Sequence, residues 1–226
     1  MNKYGLIIGC DYSGSWKVYQ SCNDAKTFYD LLVNTYNIPK NNILTLYNSE
    51  CTRNNIINCM NTFVKQLKDK TVGIIYFAGH GTQTRDTNGD ELDGMDENYQ
   101  TYDRKIISDD EITSIVEKSH IGSYINIISD HCHSGTMLDI NESHKNRNWI
   151  SIGSAQDNQS ALQSGDGSIC SYELFKIIRN EPNITIKDLK ERLTYNMKNS
   201  FIGDMQLSNI SISNNKLYDC SIFGTL

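Results

Sequence analysis

Short apolar runs alternate with amphipathic stretches along the chain, and this alternation constrains the fold more than any other feature. The apolar runs predict strands at residues 4–10, 43–47, 72–78, 124–130, 149–154 and 206–212. Helical patterns predict helices at residues 23–36, 54–68, 171–180 and 185–199, and a capping-box pattern at 108–111 opens another that continues to about residue 119. Strands that alternate with helices favour a mostly parallel sheet covered on both faces. We therefore predict an α/β protein.

Length and charge narrow the class of protein. The chain has 226 residues, enough for one sizeable core, so we predict a single domain over residues 1–226. A formal net charge of −6 argues against a nucleic-acid partner, because such proteins usually carry a basic face. No apolar run reaches the roughly 18 residues of a membrane span, so we expect no membrane partner.

The cysteines indicate a reducing compartment. Seven of them are scattered without a Cys-x-x-Cys pair, and the apolar stretch near the N-terminus is too short for a secretory signal. We therefore expect free thiols and a cytoplasmic protein.

Negative charge is concentrated in one segment. Residues 86–111 contain ten acids and two bases, a net charge of −8, so the rest of the chain sums to about +2. A dense run of Asp and Glu is typical of a solvated, flexible loop, and we predict a loop here before the helix.

Two predicted strands end in reactive side chains. The strand at 72–78 runs into His80, and the strand at 124–130 runs into Cys132. Because ligands gather beyond the carboxyl ends of parallel strands, both residues are expected on the same edge of the sheet. A histidine can activate a thiol, and neighbouring glycines offer free backbone N–H groups to a developing oxyanion.

Two other interpretations of these residues stay open. A cysteine after a strand is often inert packing, and a histidine before glycine is often a turn residue. Zinc is the second alternative, since His80, His131, Cys132 and His133 are all ligand types. Three of the four are consecutive, however, and no second ligand pair at zinc spacing follows.

Several separated motifs surround these residues, and His80 precedes Cys132 by 52 residues. The motifs are Tyr-Phe-Ala-Gly-His-Gly at 76–81, Asp-Gly-Met-Asp-Glu at 93–97, Ile-Ser-Asp-Asp-Glu at 107–111 and Asp-His-Cys-His-Ser-Gly at 130–135, with weaker matches at 22–25, 154–161 and 206–208. Together they resemble the motifs of the metacaspases, caspase-like cysteine peptidases, and the His–Cys spacing is close to that in caspases. The resemblance implies a caspase-like three-layer α/β/α sandwich with a mostly parallel six-stranded sheet. Its large-subunit-like part would cover about residues 1–140, and its small-subunit-like part about 149–226.

The resemblance also implies a mechanism. Cys132 would be the nucleophile that forms a thioester acyl-enzyme, and His80 the general base and acid. Backbone N–H groups of Gly81 and Cys132 would form the oxyanion hole.

Metacaspases cleave protein or peptide substrates after Arg or Lys, and the matching specificity residues here are Asp24 and Asp130. Two carboxylates suit a guanidinium or ammonium group through charge-assisted hydrogen bonds. The sequence departs from the family at Ala78, where serine is usual, and we expect this change to weaken substrate contacts in the pocket without abolishing them. His131 also replaces a common serine, and its imidazole would either tune the thiolate or face solvent.

Calcium is the cofactor that the resemblance implies. The four aspartates that match the ion's ligands are Asp93, Asp109, Asp110 and Asp139. Hard oxygen ligands favour calcium, although the spacing is not that of an EF-hand.

Processing and assembly are further expectations. Lys145 and Arg147 lie in a polar segment after Cys132 and are candidate autocleavage sites. We expect a monomer, although the strand at 206–212 could pair at its edge. Alternative functions are another caspase-fold peptidase without calcium dependence, similar to clostripain or legumain, and a non-catalytic caspase-like binding module.

Overall fold

A six-stranded sheet forms the centre of the computed structural model, which describes residues 2–86, 94–156, 161, 163–164, 167–200 and 206–224. In chain order the helices and strands are β1 (Lys3–Gly9), α1 (Ser21–Asn34), β2 (Ile43–Tyr47), α2 (Arg53–Gln66), β3 (Val72–Ala78), β4 (Gly81–Arg85), β5 (Met95–Gln100), β6 (Ile106–Ser108), α3 (Asp109–Val116), β7 (Tyr124–Asp130), β8 (Asn148–Gly153), β9 (Gln163–Ser164), β10 (Gly167–Ser168), α4 (Ile169–Asn180), α5 (Ile186–Lys198) and β11 (Asn209–Ile212).

The central sheet has the strand order β11-β8-β7-β3-β1-β2. Its strands pair in parallel except for β11, which runs antiparallel to β8. The predicted six-stranded, mostly parallel sheet is therefore confirmed. The predicted strand boundaries differ from the observed ones by one residue or less, except that the last strand begins at Asn209 rather than at residue 206.

Helices cover both faces of this sheet. All seven residues of β3 are buried, which explains its continuous apolar sequence. Tyr76 packs into a cluster with apolar residues of α1, α4 and α5, and Phe77 packs into a second cluster with residues of α2 and α3. The structure thus has the three-layer α/β/α architecture that the sequence predicts.

The prediction of a loop over the acidic segment is wrong for its described residues. β5 pairs with β4 on one side and with β6 on the other in a three-stranded antiparallel sheet, although residues 87–93 lie outside the described part of the chain. Five of the six residues of β5 are buried despite their polarity. Tertiary hydrogen bonds make this possible: Gln83 donates to the Glu97 carboxylate at 2.9 Å, and Asn98 donates to Thr84 at 3.0 Å.

Side-chain caps fix the start of helix α3 as expected. The Ser108 hydroxyl accepts a hydrogen bond from the Glu111 N–H at 3.2 Å, so the predicted N-terminus is confirmed. The helix ends at Val116, and single turns continue the chain to Ser119. Among the described residues, every helix falls short of the length and apolarity that crossing a membrane requires.

Candidate active site

His80 and Cys132 lie on neighbouring loops at the carboxyl ends of β3 and β7. The strand register pairs Ala78 with Asp130, so the two residues follow equivalent positions of adjacent parallel strands. A Cβ atom at Gly81 would lie 2.0 Å from the Cys132 carbonyl oxygen, so only glycine permits this contact. The two backbone segments predicted to form an oxyanion hole therefore touch.

A backbone carbonyl orients the imidazole of His80. The His80 Nε2 atom lies 2.8 Å from the carbonyl oxygen of Trp16, in the short 3₁₀ turn before α1. Because a carbonyl only accepts hydrogen bonds, Nε2 must carry the proton, and Nδ1 is the basic nitrogen of the neutral ring. The Trp16 ring also packs edge-on against His80, with centroids 6.2 Å apart.

The turn that carries Cys132 is strained and buttressed by the end of β8. His133 has a φ of +53°, which is uncommon for a non-glycine residue. The Ser134 hydroxyl accepts from the Ala155 N–H at 3.3 Å, and the Ser154 hydroxyl donates to the His131 carbonyl at 3.1 Å. These bonds hold the residues on both sides of the nucleophile.

The Cys132 thiol is partly exposed and meets a backbone donor. The Ala161 N–H points to its sulfur at 3.3 Å. The backbone of Ala161 thus supplies a hydrogen-bond donor at the sulfur of the candidate nucleophile. All seven cysteines of the chain are free thiols.

His131 does not face solvent, in contrast to one of our two expectations. Only 1% of its surface is exposed, and its Nδ1–H donates to the Cys132 carbonyl at 2.9 Å. Burial lowers the pKa of His131 to about 4, so the ring is neutral near pH 7. It therefore supplies no positive charge to the thiol and instead supports the backbone of the nucleophile.

Asp24 and Asp130, the predicted specificity residues, lie close together and are buried. Ser168, at the N-terminus of α4, bridges them: its N–H donates to Asp24 at 3.0 Å and its hydroxyl donates to Asp130 at 2.6 Å. Asp130 also accepts from the hydroxyls of Ser171 at 2.5 Å and Tyr76 at 3.2 Å. Neutral hydroxyl groups thus satisfy a buried carboxylate at the end of β7.

Burial changes the protonation of both acids. Burial, together with the nearby charge of Asp130, raises the pKa of Asp24 to about 7. Burial also raises the pKa of Asp130, while its hydroxyl donors oppose the shift. Ala78, the third predicted specificity residue, is buried in register with Asp130. The pair can thus change its charge near neutral pH and can bind a cation when ionised.

Three carboxylates gather where the acidic segment enters α3. Single oxygens of Asp96, Asp109 and Asp110 lie within 4.8 Å of one another, and Asp96 and Asp109 are buried. Like charges this close are unfavourable without a cation, and an all-oxygen set suits calcium. Among the described residues, these three acids are the one group of side chains close enough together to hold a metal ion. The candidate zinc ligands around Cys132 therefore do not form a metal-binding group within the described part of the chain.

Of the other two predicted calcium ligands, only Asp139 lies in the described part of the chain, and it is not a member of this group. Asp139 lies beside α3, where its N–H donates to the Thr113 hydroxyl at 3.1 Å, and its carboxylate accepts from the same hydroxyl at 3.3 Å. Asp93 lies outside the described residues. Asp96 was not predicted, although it belongs to the Asp-Gly-Met-Asp-Glu motif that drew attention to Asp93.

The candidate autocleavage residues differ in accessibility. Lys145 is exposed after a short 3₁₀ turn. The Arg147 guanidinium donates to the carbonyls of Ser119 and Glu117, at 3.1 and 2.8 Å, and lies over the Trp149 ring. Of the two residues, Lys145 is therefore the more accessible to a protease.

Backbone contacts account for most of what sequence reasoning missed. Trp16 and Ala161 contribute a carbonyl and an N–H group, which any residue type could provide. Ser168 and Ser171 could have been suspected only as helix-capping residues, because their bonds to Asp130 span 38 and 41 residues.

Comparisons with known proteins point to one family. The family model described as "Metacaspase, peptidase C14 domain" matches residues 3–141. Metacaspase-2 of Arabidopsis thaliana is 34% identical over 149 residues, which cover 61% of this chain and 36% of that protein. Metacaspase-1 of Saccharomyces cerevisiae is 36% identical over 146 residues, or 60% of this chain and 34% of that protein. Metacaspase-1 of Candida glabrata is 30% identical over 193 residues, or 74% of this chain and 49% of that protein.

A solved structure supports the fold independently. A crystal structure of a protein from Geobacter sulfurreducens superimposes with a TM-score of 0.78 over 100% of both chains, at 18% sequence identity. The chain spans about a third to a half of the length of the three curated relatives described above. The family model covers more than half of the chain, including both His80 and Cys132, and the chain belongs to the metacaspase family of C14 peptidases.

Proposed function

We propose that this chain is a cysteine endopeptidase. Cys132 attacks the scissile carbonyl and forms a thioester, and His80 takes the thiol proton and gives one to the leaving amine. The observation that carries the proposal is the contact between Gly81 and the Cys132 carbonyl, which brings the loop of His80 against that of the nucleophile. The Trp16 carbonyl supports it, because it leaves Nδ1 of His80 as the basic atom.

We also propose that the substrate carries Arg or Lys before the scissile bond. Asp24, in the first turn of α1, and Asp130, the last residue of β7, are two buried carboxylates bridged by Ser168, and Asp130 lies two residues before the nucleophile. A basic side chain that enters between them keeps both ionised and gains charge-assisted hydrogen bonds. An acidic side chain would add a third negative charge to a buried site, at a large cost in free energy.

Peptide cleavage tests both proposals. We expect fluorogenic peptides that end in Arg or Lys to be cleaved in calcium at about 1 mM, and peptides that end in Asp to remain intact. Cys132→Ala should abolish turnover, because no thiolate remains to attack. The matched control is Cys59→Ala, since Cys59 is the other cysteine that is only partly buried, and it lies on α2.

Three results would contradict these proposals. If the wild-type protein cleaves none of the peptides, the proposed peptidase function is wrong, and a non-catalytic binding module is favoured. Full turnover by Cys132→Ala would remove the nucleophile. Preferential cleavage after Asp would remove the specificity while leaving the peptidase intact.

Calcium is the cofactor that we propose, held by Asp96, Asp109 and Asp110, with Asp93 and Asp139 as further candidates. The fit rests on the donor set, since three carboxylate oxygens within 4.8 Å match the preference of a hard dication. Bound calcium supplies positive charge that offsets the repulsion among these acids. The Asp109 carboxylate also accepts from the Glu97 N–H at 2.6 Å, which ties the start of α3 to β5.

Neutralising one ligand tests the calcium site. We expect calcium to raise the melting temperature of the wild-type protein, because an ion that binds only the folded state stabilises it. Asp109→Asn should reduce that rise and should shift activity to higher calcium concentrations. Asp103→Asn is the matched control, since Asp103 belongs to the same acidic segment but accepts from Arg53 and Thr101.

A calcium response in Asp109→Asn equal to that of the wild-type protein would contradict this site. Equal peptide cleavage in a chelator would remove the calcium dependence of activity and would favour a calcium-independent peptidase of the same fold.

A further inference from the structure

The backbone of His80 is held by a closed set of three hydrogen bonds. The His80 N–H donates to the Tyr12 hydroxyl at 2.9 Å, and that hydroxyl donates to the Gln100 carbonyl. The Gln100 N–H in turn donates to the His80 carbonyl at 2.9 Å. Both polar groups of the His80 backbone are thus fixed to the last residue of β5.

The donor directions in this set are unambiguous. A backbone N–H can only donate and a carbonyl can only accept, so the Tyr12 hydroxyl must accept from His80 and donate to Gln100. Burial also raises the pKa of Tyr12 far above its usual value, so the hydroxyl keeps its proton. Without this hydroxyl, a donor and an acceptor would both lose their partner.

Tyr12 also contacts the imidazole itself. Its ring lies 4.8 Å from the His80 ring, centroid to centroid, with a tilt of 38°. The Trp16 carbonyl holds Nε2 of the same imidazole. One tyrosine therefore restrains both the main chain and the ring plane of His80.

Two local features show that the fold is built around this tyrosine. Tyr12 has a φ of +56°, a left-handed conformation that is an outlier for a bulky residue and persists only where its surroundings enforce it. A Cβ atom at Gly79 would lie 2.7 Å from the Tyr12 hydroxyl, so the residue before His80 must be glycine for the hydroxyl to fit. Packing of the ring into the apolar cluster would require neither feature.

We infer that Tyr12 is a positioning residue for His80, which acts by linking the His80 N–H to the Gln100 carbonyl and by packing against the imidazole. The inference rests on the proposed peptidase function. The Tyr12 hydroxyl bonds to the main chain of His80 and Gln100, and in this way Tyr12 holds the proposed general base in place. Misplacement of a catalytic group by about 1 Å can lower the rate about a hundredfold.

The test compares two tyrosines that each lose only a hydroxyl. Tyr12→Phe keeps the ring and removes the hydroxyl that joins the His80 N–H to the Gln100 carbonyl. Tyr36→Phe is the control, because it removes a hydroxyl that is buried without a hydrogen-bond partner in the described part of the chain. We expect Tyr12→Phe to lower kcat on an Arg-ended peptide about 10- to 100-fold and to leave KM within about twofold. Tyr36→Phe should change neither constant.

Alkylation provides a readout that does not need peptide turnover. We expect the rate at which iodoacetamide modifies Cys132, followed by mass spectrometry, to fall in Tyr12→Phe and to stay unchanged in Tyr36→Phe. The rate at Cys59 in the same samples is the internal control. If the wild-type protein cleaves no peptide but this difference persists, the proposed function fails and the positioning role stands.

An unchanged kcat and alkylation rate in folded Tyr12→Phe would overturn the inference, as would a rise in KM at constant kcat. If Tyr12→Phe does not fold, hydrogen exchange in the wild-type protein decides. Strong protection of the His80 and Gln100 amides supports the closed set of bonds, and free exchange of the His80 amide overturns it.

Discussion

Asp24 and Asp130 lie side by side, yet each accepts hydrogen bonds from neutral groups. Ser168 donates to both acids, so the pair is held in place before a cation arrives. Because the pKa of Asp24 rises to about 7, this carboxyl group is neutral in mildly acidic solution and charged in mildly basic solution. In the proposed pocket, the charge state of Asp24 would therefore control how well a basic side chain binds.

Asp24 should make substrate binding depend on pH. We expect KM for an Arg-ended peptide to fall as pH rises from about 6 to 8, because the ionised carboxylate attracts the guanidinium. Asp24→Asn should raise KM and remove this dependence. Asp188→Asn is a suitable control, since Asp188 occupies the first turn of α5 as Asp24 does in α1. A KM for the wild-type protein that does not change over this range would contradict the prediction.

The stability of the protein should respond to the same group. The folded-state pKa of Asp24 lies above its unfolded value of 3.8, so the folded state holds the proton more tightly. The associated stability is fully present below about pH 4 and is lost as pH rises through about 7. The free energy of unfolding of Asp24→Asn should not fall in this way as pH rises. Denaturant titrations of both proteins at several pH values measure the difference.

At the level of elements, α4 begins at the proposed substrate pocket, and its N-cap residue also contacts an acid of that pocket. The Ser168 hydroxyl accepts from the Ser171 N–H at 3.4 Å and also donates to Asp130. The N-terminus of a helix favours negative charge, so the start of α4 suits the acids that it contacts. Strand β10, which ends at Ser168, brings Gly167 so close to Asp24 that a Cβ atom there would lie 2.3 Å from the carboxylate.

Substitution of two comparable N-cap residues separates the helix-capping role of Ser168 from its role in the pocket. Ser168→Ala and Thr185→Ala should each lower the free energy of unfolding by about 1 kcal/mol, because each removes an N-cap side chain. Thr185 caps α5 and accepts from the Asp188 N–H at 3.1 Å. Ser168→Ala alone should also raise KM for the Arg-ended peptide, since Asp130 loses a hydroxyl that stabilises its charge. Equal KM values in both variants would show that the bridge has no role in binding.

Strand β5 shows where composition misleads. Its sequence, Met-Asp-Glu-Asn-Tyr-Gln, is so polar that it predicts a loop, yet it lies buried between β4 and β6. Its amino-terminal half carries Asp96 of the carboxylate group, and Gln100 at its end holds the backbone of His80. A polar strand is stable here because its side chains find partners on other elements.

At the scale of the whole molecule, the parallel sheet explains why the site forms. Strands β1, β3 and β7 run in the same direction, so the residues that follow them meet at one edge. Residues that contact this edge come from the elements that flank these strands, including Asp24 at the start of α1 and Ser168 at the start of α4. The monomeric state stays a prediction. Strand β11, which pairs with β8, is one of the two edge strands of the sheet and is the edge at which we considered pairing with another copy.

The sequence by itself determined the order of the six strands of the central sheet and of the five helices, because hydrophobic periodicity and apolar content are local properties. It also placed His80 and Cys132 on the same edge of the sheet, since both follow buried parallel strands. Only the tertiary structure decided the burial of His131, the bridging by Ser168, the grouping of Asp96 with Asp109 and Asp110, and the link from Tyr12 to His80. Those contacts join residues distant in sequence, often through backbone atoms that every residue type shares, so no local pattern encodes them.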